Sequence, residues 1–190
     1  NLAAGKVKHQ PVENGECASC HSPHQSEVKK LLLKPDGKLC FERHDDLQKK
    51  IATAKVKHQP AENGECASCH TPHQSDHKKL LTKAAGKLCF ECHEDVQKQL
   101  AGAKSTHQPV AEGDCVSCHN PHATDSAKLV AKAVPALCYE CHEDAELQKV
   151  ERHKTATDKT ACLLCHFPHQ SGRVHLLKGR EKTGPATSEK

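Results

Sequence analysis

Apolar positions along this chain come in short bursts, with no sustained period of either helix or strand. The longest purely aliphatic run is Leu31, Leu32 and Leu33. Helical patterning is short and weak, over 45–51, 94–100 and 143–150. Pro11, Asn14 with Gly15, Pro60 and Asn63 with Gly64 punctuate the stretches between as turns. No segment alternates as a half-buried strand does. The pattern predicts a mostly irregular fold of short α-helices with little or no β-sheet.

The bursts return at a fixed interval, which marks tandem repeats. Cys17-Ala18-Ser19-Cys20-His21 recurs at 66–70, 115–119 and 162–166, and a second motif trails the first three copies, at 40–44, 89–93 and 138–142. Each repeat also carries an upstream His (His9, His58, His107, His153) and a Pro-His pair (Pro23-His24, Pro72-His73, Pro121-His122, Pro168-His169). An aliphatic pair follows, such as Leu31 and Leu32. In this register the fourth repeat has Pro185 where its second motif would begin. The sequence therefore divides into paired-motif repeats at 1–50, 51–100 and 101–149, a single-motif half repeat at 150–178, and a polar tail at 179–190.

Composition changes the picture of what fills such a fold. A chain of 190 residues would ordinarily close around one or two apolar cores. Aromatic residues are 2% of this one, and Met and Trp are absent, so the interior must be filled by something other than side chains. The thirteen Cys and seventeen His indicate what it is. No stretch approaches the roughly 18 apolar residues of a membrane span. The start lacks an apolar signal region, and the expectation is a mature exported form with no membrane span.

Cys-x-x-Cys-His presents two thiols three positions apart, able to form thioethers with the two vinyl groups of one haem, and an adjacent His as axial iron ligand. The expected cofactor is haem c, attached through Cys17, Cys20, Cys40, Cys66, Cys69, Cys89, Cys92, Cys115, Cys118, Cys138, Cys141, Cys162 and Cys165. The spacing between Cys20 and Cys40 would also suit a zinc ribbon. A ribbon, however, needs no His after every second Cys, and it would leave Cys162 and Cys165 without partners. A disulfide within each Cys-x-x-Cys would fit an exported chain but ignores the histidines. In 40–44, Arg43 replaces the second Cys. Losing one of four thiolates would cripple a ribbon, whereas a haem stays tethered through Cys40 and ligated by His44. The count is thus seven haems, or six if this site is empty. Two propionates on each haem outweigh the formal charge of +4, so the lysines do not argue for nucleic acid.

The motifs supply His21, His44, His70, His93, His119, His142 and His166 as proximal ligands. His9, His24, His58, His73, His107, His122, His153 and His169 recur in register as distal candidates, while His77 and His175 fall outside it and read as surface residues. Without Met, His/Met ligation is excluded and low-potential bis-His centres are expected. His24 lies three residues from His21, at most about 10 Å along the chain, too close to reach the opposite face of the same ring. The simplest assignment gives His24 to the Cys40 haem of its own repeat and His9 to the first haem, making each repeat a tight two-haem module. One distal His is then in surplus, and His169, or His9 if the pairing shifts, could ligate a haem of a neighbouring subunit.

The arrangement Cys-x-x-Cys-His-x-Pro-His, followed 16 residues later by a second motif, resembles the doubled-motif multihaem cytochromes c of anaerobic respiration, over residues 9–177. The resemblance implies a haem-filled fold and an extracellular or cell-surface location, or else a periplasmic one. In some members it implies polymerisation into filaments that carry electrons from the cell. The expected function is electron conduction, with redox proteins or extracellular acceptors as partners and a monomeric periplasmic shuttle as the alternative. A multihaem reductase would need an iron with an open position. All seven proximal positions here are His with distal His in surplus, so no catalytic residue and no enzyme activity are expected.

Overall fold

The computed structural model describes residues 4–154 and 162–179. The tail beyond Gly179, with the missing second motif at Pro185, lies outside them.

Short helices form where the repeat supplies start signals. His9, His58 and His107 are extended and cap the one-turn helices Gln10–Glu13, Gln59–Glu62 and Gln108–Ala111. Proline near each start fixes a helical φ and loses no hydrogen bond. The first motifs then curl into 3-10 turns at Cys17–Ser19, Cys66–Ser68 and Cys115–Ser117. After the second motifs come Asp45–Thr53, Glu94–Ala101 and Asp144–Leu147, each with acidic residues in the first turn, where they complement the helix dipole. The first two match the expected 45–51 and 94–100. The third is shorter than 143–150, because Glu143 is extended and delays the start, and a separate turn of helix forms at Glu151–Lys154.

Strand pairing is small but decides the topology. The described residues divide into two compact units, Asn1–His93 with Gly113–Ala133, and Glu94–Glu112 with Val134–Lys190. In the first unit β1 (Val7–Lys8) pairs antiparallel with β3 (Gln74–Ser75), and β2 (Val56–Lys57) with β5 (Ala123–Thr124). In the second, β4 (Ser105–Thr106) pairs with β6 (Gln170–Ser171). Every pair joins the residues before one repeat's upstream His to the residues after the next repeat's Pro-His. The repeats therefore interlock, and the two units do not follow the repeat boundaries.

A second interlock lies in the first unit. A Cβ on Gly37 would sit 2.8 Å from the Gly64 Cα, and one on Gly86 would sit 2.7 Å from the Gly113 Cα. Only glycine allows these approaches, which bring Cys40 beside Cys66 and Cys89 beside Cys115. Gly86→Ala is expected to destabilise the haem-loaded protein by about 1–3 kcal/mol through overpacking. Gly102→Ala, whose Cβ would meet nothing within 4 Å, serves as control. Thermal melts of the two variants check this, and equal melting temperatures would refute it.

Side chains alone make almost no core. Among the described residues the buried apolar ones are Ile51 and Ala123, and no large side chain is fully buried.

Candidate haem-binding sites

In the first motifs, a short turn places each His. The backbone N–H of His21, His70, His119 and His166 donates to the carbonyl of that motif's first Cys. Each Nδ1 meets a second carbonyl at 2.9 Å, that of Lys30, Lys79, Lys128 or His175. Those carbonyls come from pairs of left-handed residues, Lys30 and Leu31, Lys79 and Leu80, Lys128 and Leu129, His175 and Leu176, with φ between 56° and 60°. Left-handed backbone costs about 1–2 kcal/mol per non-glycine residue, and its repetition at the same place marks a conformation held for a purpose. Here it aims a carbonyl at Nδ1, so that Nδ1–H donates and Nε2 keeps its lone pair for a metal. Sequence reading missed this device, because no glycine announces it. It gives His175 a backbone role, while His77 precedes the equivalent turn, Lys78–Leu80.

The upstream histidines are fixed by the strand exchange. His9, His58 and His107 follow β1, β2 and β4, and each donates its backbone N–H at 2.9 Å to the carbonyl of His73, His122 or His169. Their Nδ1 atoms lie 2.8, 2.8 and 3.1 Å from the carbonyls of Pro72, Pro121 and Pro168. His153, on a helix, finds the Leu147 carbonyl at 3.1 Å instead.

These constraints bring rings into facing pairs. His9 faces His44 and His58 faces His93, both with centroids 6.3 Å apart, and His107 faces His142 at 6.0 Å. His21 faces His73 at 5.9 Å, and His70 faces His122 at 6.1 Å. His153 faces His166 at 6.0 Å. An imidazole nitrogen about 2 Å from a metal, with the centroid about 1.2 Å further back, puts two trans rings about 6.4 Å apart. The observed separations fit an ion between each pair. Among the described residues no three His, Cys, Asp or Glu converge on one point. Two protein ligands per site, with two thiols in each motif except 40–44, where Cys40 stands alone, suit a metal whose remaining four donors come from a macrocycle. They do not suit a zinc ribbon, and no two of the thirteen cysteines are joined in a disulfide.

The pairing corrects the sequence assignment. His9 faces His44 of the second motif of its own repeat, not His21 of the first. The ring facing the first motif's His is that of the Pro-His of the following repeat, because β1 with β3 and β2 with β5 carry His73 and His122 across. His70 and His73, three residues apart, therefore belong to different ring pairs. His9 is thus engaged within its own chain, and His169 is not free either. His24 is exposed, and no ring faces it among the described residues.

Neighbouring thiols and burial tune the groups. The Cys40 thiol donates to Cys66 and pushes it down to about 7, while its own is raised; Cys89 acts on Cys115 in the same way. Thioether formation would remove these shifts. Burial, then the neighbouring His70, pushes His122 below its ordinary value, favouring the neutral ring a ligand requires.

Arg43 leaves its motif intact. The backbone N–H groups of Arg43 and His44 donate to the Cys40 carbonyl at 3.2 and 3.0 Å, as those of Cys92 and His93 do to Cys89 at 3.3 and 3.0 Å. The guanidinium lies 4.0 Å from the Glu16 carboxylate.

A family model described as the doubled CXXCH motif matches the chain three times, at residues 9–49, 58–98 and 107–147. No curated protein matches. The three matches cover most of the chain, which belongs to the doubled CXXCH motif family. It is a multihaem c-type cytochrome, binding haem c and transferring electrons.

Proposed function

We propose that this cytochrome carries seven bis-His haems and conducts electrons along them as the subunit of an extracellular filament. The observation that carries this reading is the series of facing His pairs, each spaced for an iron and linked from repeat to repeat. When bound, each haem supplies one-electron Fe(III)/Fe(II) exchange. The chain's part is to hold both axial rings by Nδ1 hydrogen bonds, so that the coordination stays the same in both oxidation states. His9, His58, His73, His107, His122 and His153 provide second axial positions, and His169, in register with His73 and His122, is the candidate that remains. Full ligation favours a carrier over a reductase, and the extracellular location and acceptors rest on the family resemblance. Imaging the purified protein tests the filament; a monomer at all concentrations would leave a shuttle as the function.

The count of seven depends on the Arg43 site, where the His9–His44 geometry matches that of His58–His93. Intact mass is expected to equal the chain plus seven haems, one of them keeping a free vinyl group and a red-shifted reduced absorption band. Arg43→Cys should abolish that band shift without changing the haem number. A wild-type mass short by one haem would reduce the count to six.

A further inference from the structure

The interlock leaves one end of the first repeat unfilled. The segments after Pro72-His73, Pro121-His122 and Pro168-His169 are each covered by a strand of the preceding repeat. Gln25 and Ser26, after Pro23-His24, have no strand opposite them among the described residues. Among the described residues the carbonyls of Pro23 and His24 likewise receive no bond of the kind that His9 gives to Pro72 and His73. His24 is exposed, whereas His73, His122 and His169 are partly buried. The loop is nonetheless already shaped for docking. The Ser26 hydroxyl donates to the Leu32 carbonyl and accepts from the Val28 N–H, as Ser75 does with Leu81 and His77.

The other end of the repeat series carries a substitute. His21 and His70 face a Pro-His from the next repeat, but His166 faces His153 of its own half repeat. His153 corresponds to His9, His58 and His107, which all serve second motifs. Its ring is tilted 57° from that of His166, against 15–28° for the other described pairs. It sits on the helix Glu151–Lys154, where its counterparts follow a strand.

We infer that His24, with the edge at Gln25 and Ser26, is a docking end for a second copy of this chain. His24 replaces His153 as the trans ligand opposite the second copy's His166, and Glu151 and Arg152 of the second copy leave their one-turn helix to join Gln25 and Ser26 as a strand. In the exchange one nitrogen–iron bond breaks and one forms between neutral imidazoles. No proton or electron is transferred. Because the two ligands are alike, the added strand and relief of the tilt must drive association, which therefore depends on concentration. The inference rests on the proposed bis-His haems and gives the filament its polarity and its joint.

The test uses haem-loaded protein as wild type, His24→Ala, His153→Ala and the double variant, followed by sedimentation and by the high-spin haem bands. His153→Ala should show a high-spin, carbon monoxide-binding haem when dilute. That signal should disappear as concentration rises and head-to-tail oligomers form. The double variant should stay monomeric and high-spin throughout, and His24→Ala should lose the self-association of wild type. His153→Ala that stays monomeric and high-spin at every concentration, with its full haem mass, overturns the docking inference alone. So does a double variant that assembles like the single one. An intact mass lacking a haem on Cys162 and Cys165 in wild type overturns the haem reading and the inference together. Should His153→Ala fail to fold, equal association of wild type and His24→Ala refutes the joint.

Discussion

The chain produced without haem, for example with all its cysteines replaced by serine, is expected to lose nearly all of its helical circular dichroism and every cooperative thermal transition. The reason is the absence of a core. Burying Ile51 contributes about 2 kcal/mol. That offsets the ordering of only one or two residues, at about 1–2 kcal/mol each. Ala123 adds little, the helices are mostly one to two turns, and isolated helices of that length are unstable in water. In the loaded protein the macrocycles would supply the apolar area, and under the proposed bis-His ligation their bonds would tie together segments distant in sequence, such as those of His21 and His73. Small-angle scattering of the apo chain should approach a radius of gyration of about 47 Å, that of an unfolded chain of this length. An apo chain with the circular dichroism and melting transition of the loaded protein would show that the polypeptide folds by itself, with no need of the macrocycles as its core.

Removing a single distal ligand should have a large and addressable effect. His73→Ala is expected to convert one haem from low-spin to high-spin and to let it bind carbon monoxide on reduction, with the fold retained. The backbone carbonyl of residue 73 can still accept the His9 N–H. The affected haem should be the one on Cys17 and Cys20, in the preceding repeat, because His73 faces His21. Combining His73→Ala with Cys17→Ala and Cys20→Ala should therefore abolish carbon monoxide binding, while combining it with Cys89→Ala and Cys92→Ala should preserve it. The reverse result would restore pairing within the repeat. Electron passage along the chain should also slow, since a haem with a changing ligand set must rearrange when it changes oxidation state.

The attachment chemistry was legible without a structure. Thioether formation and proximal ligation are local, so they require Cys, Cys and His at fixed spacing, and a repeated spacing leaves few alternatives. The same holds for the upstream and Pro-His histidines as a class, because they keep the register. The helices over 45–51 and 94–100 were readable from the short helical patterning that follows each second motif.

The distal pairing was not legible. Which ring faces His21 depends on which segment β1 pairs with, and a strand of two residues has no alternation to read. The approach of Gly86 to Gly113 depends on a neighbour that no local pattern names. The left-handed turns at Lys30 and Leu31 have no glycine to mark them, since the strain is offset by the bond to the His21 Nδ1. His24 and His73 occupy equivalent places in the sequence and differ only in having a neighbour. The sequence by itself determined the cofactor and set the candidate thiols and histidines in register, because a Cys-x-x-Cys-His motif acts over a few residues. Only the tertiary structure decided that the repeats interlock, which histidine meets which, and that His24 is left facing outward, because those outcomes depend on contacts between distant segments.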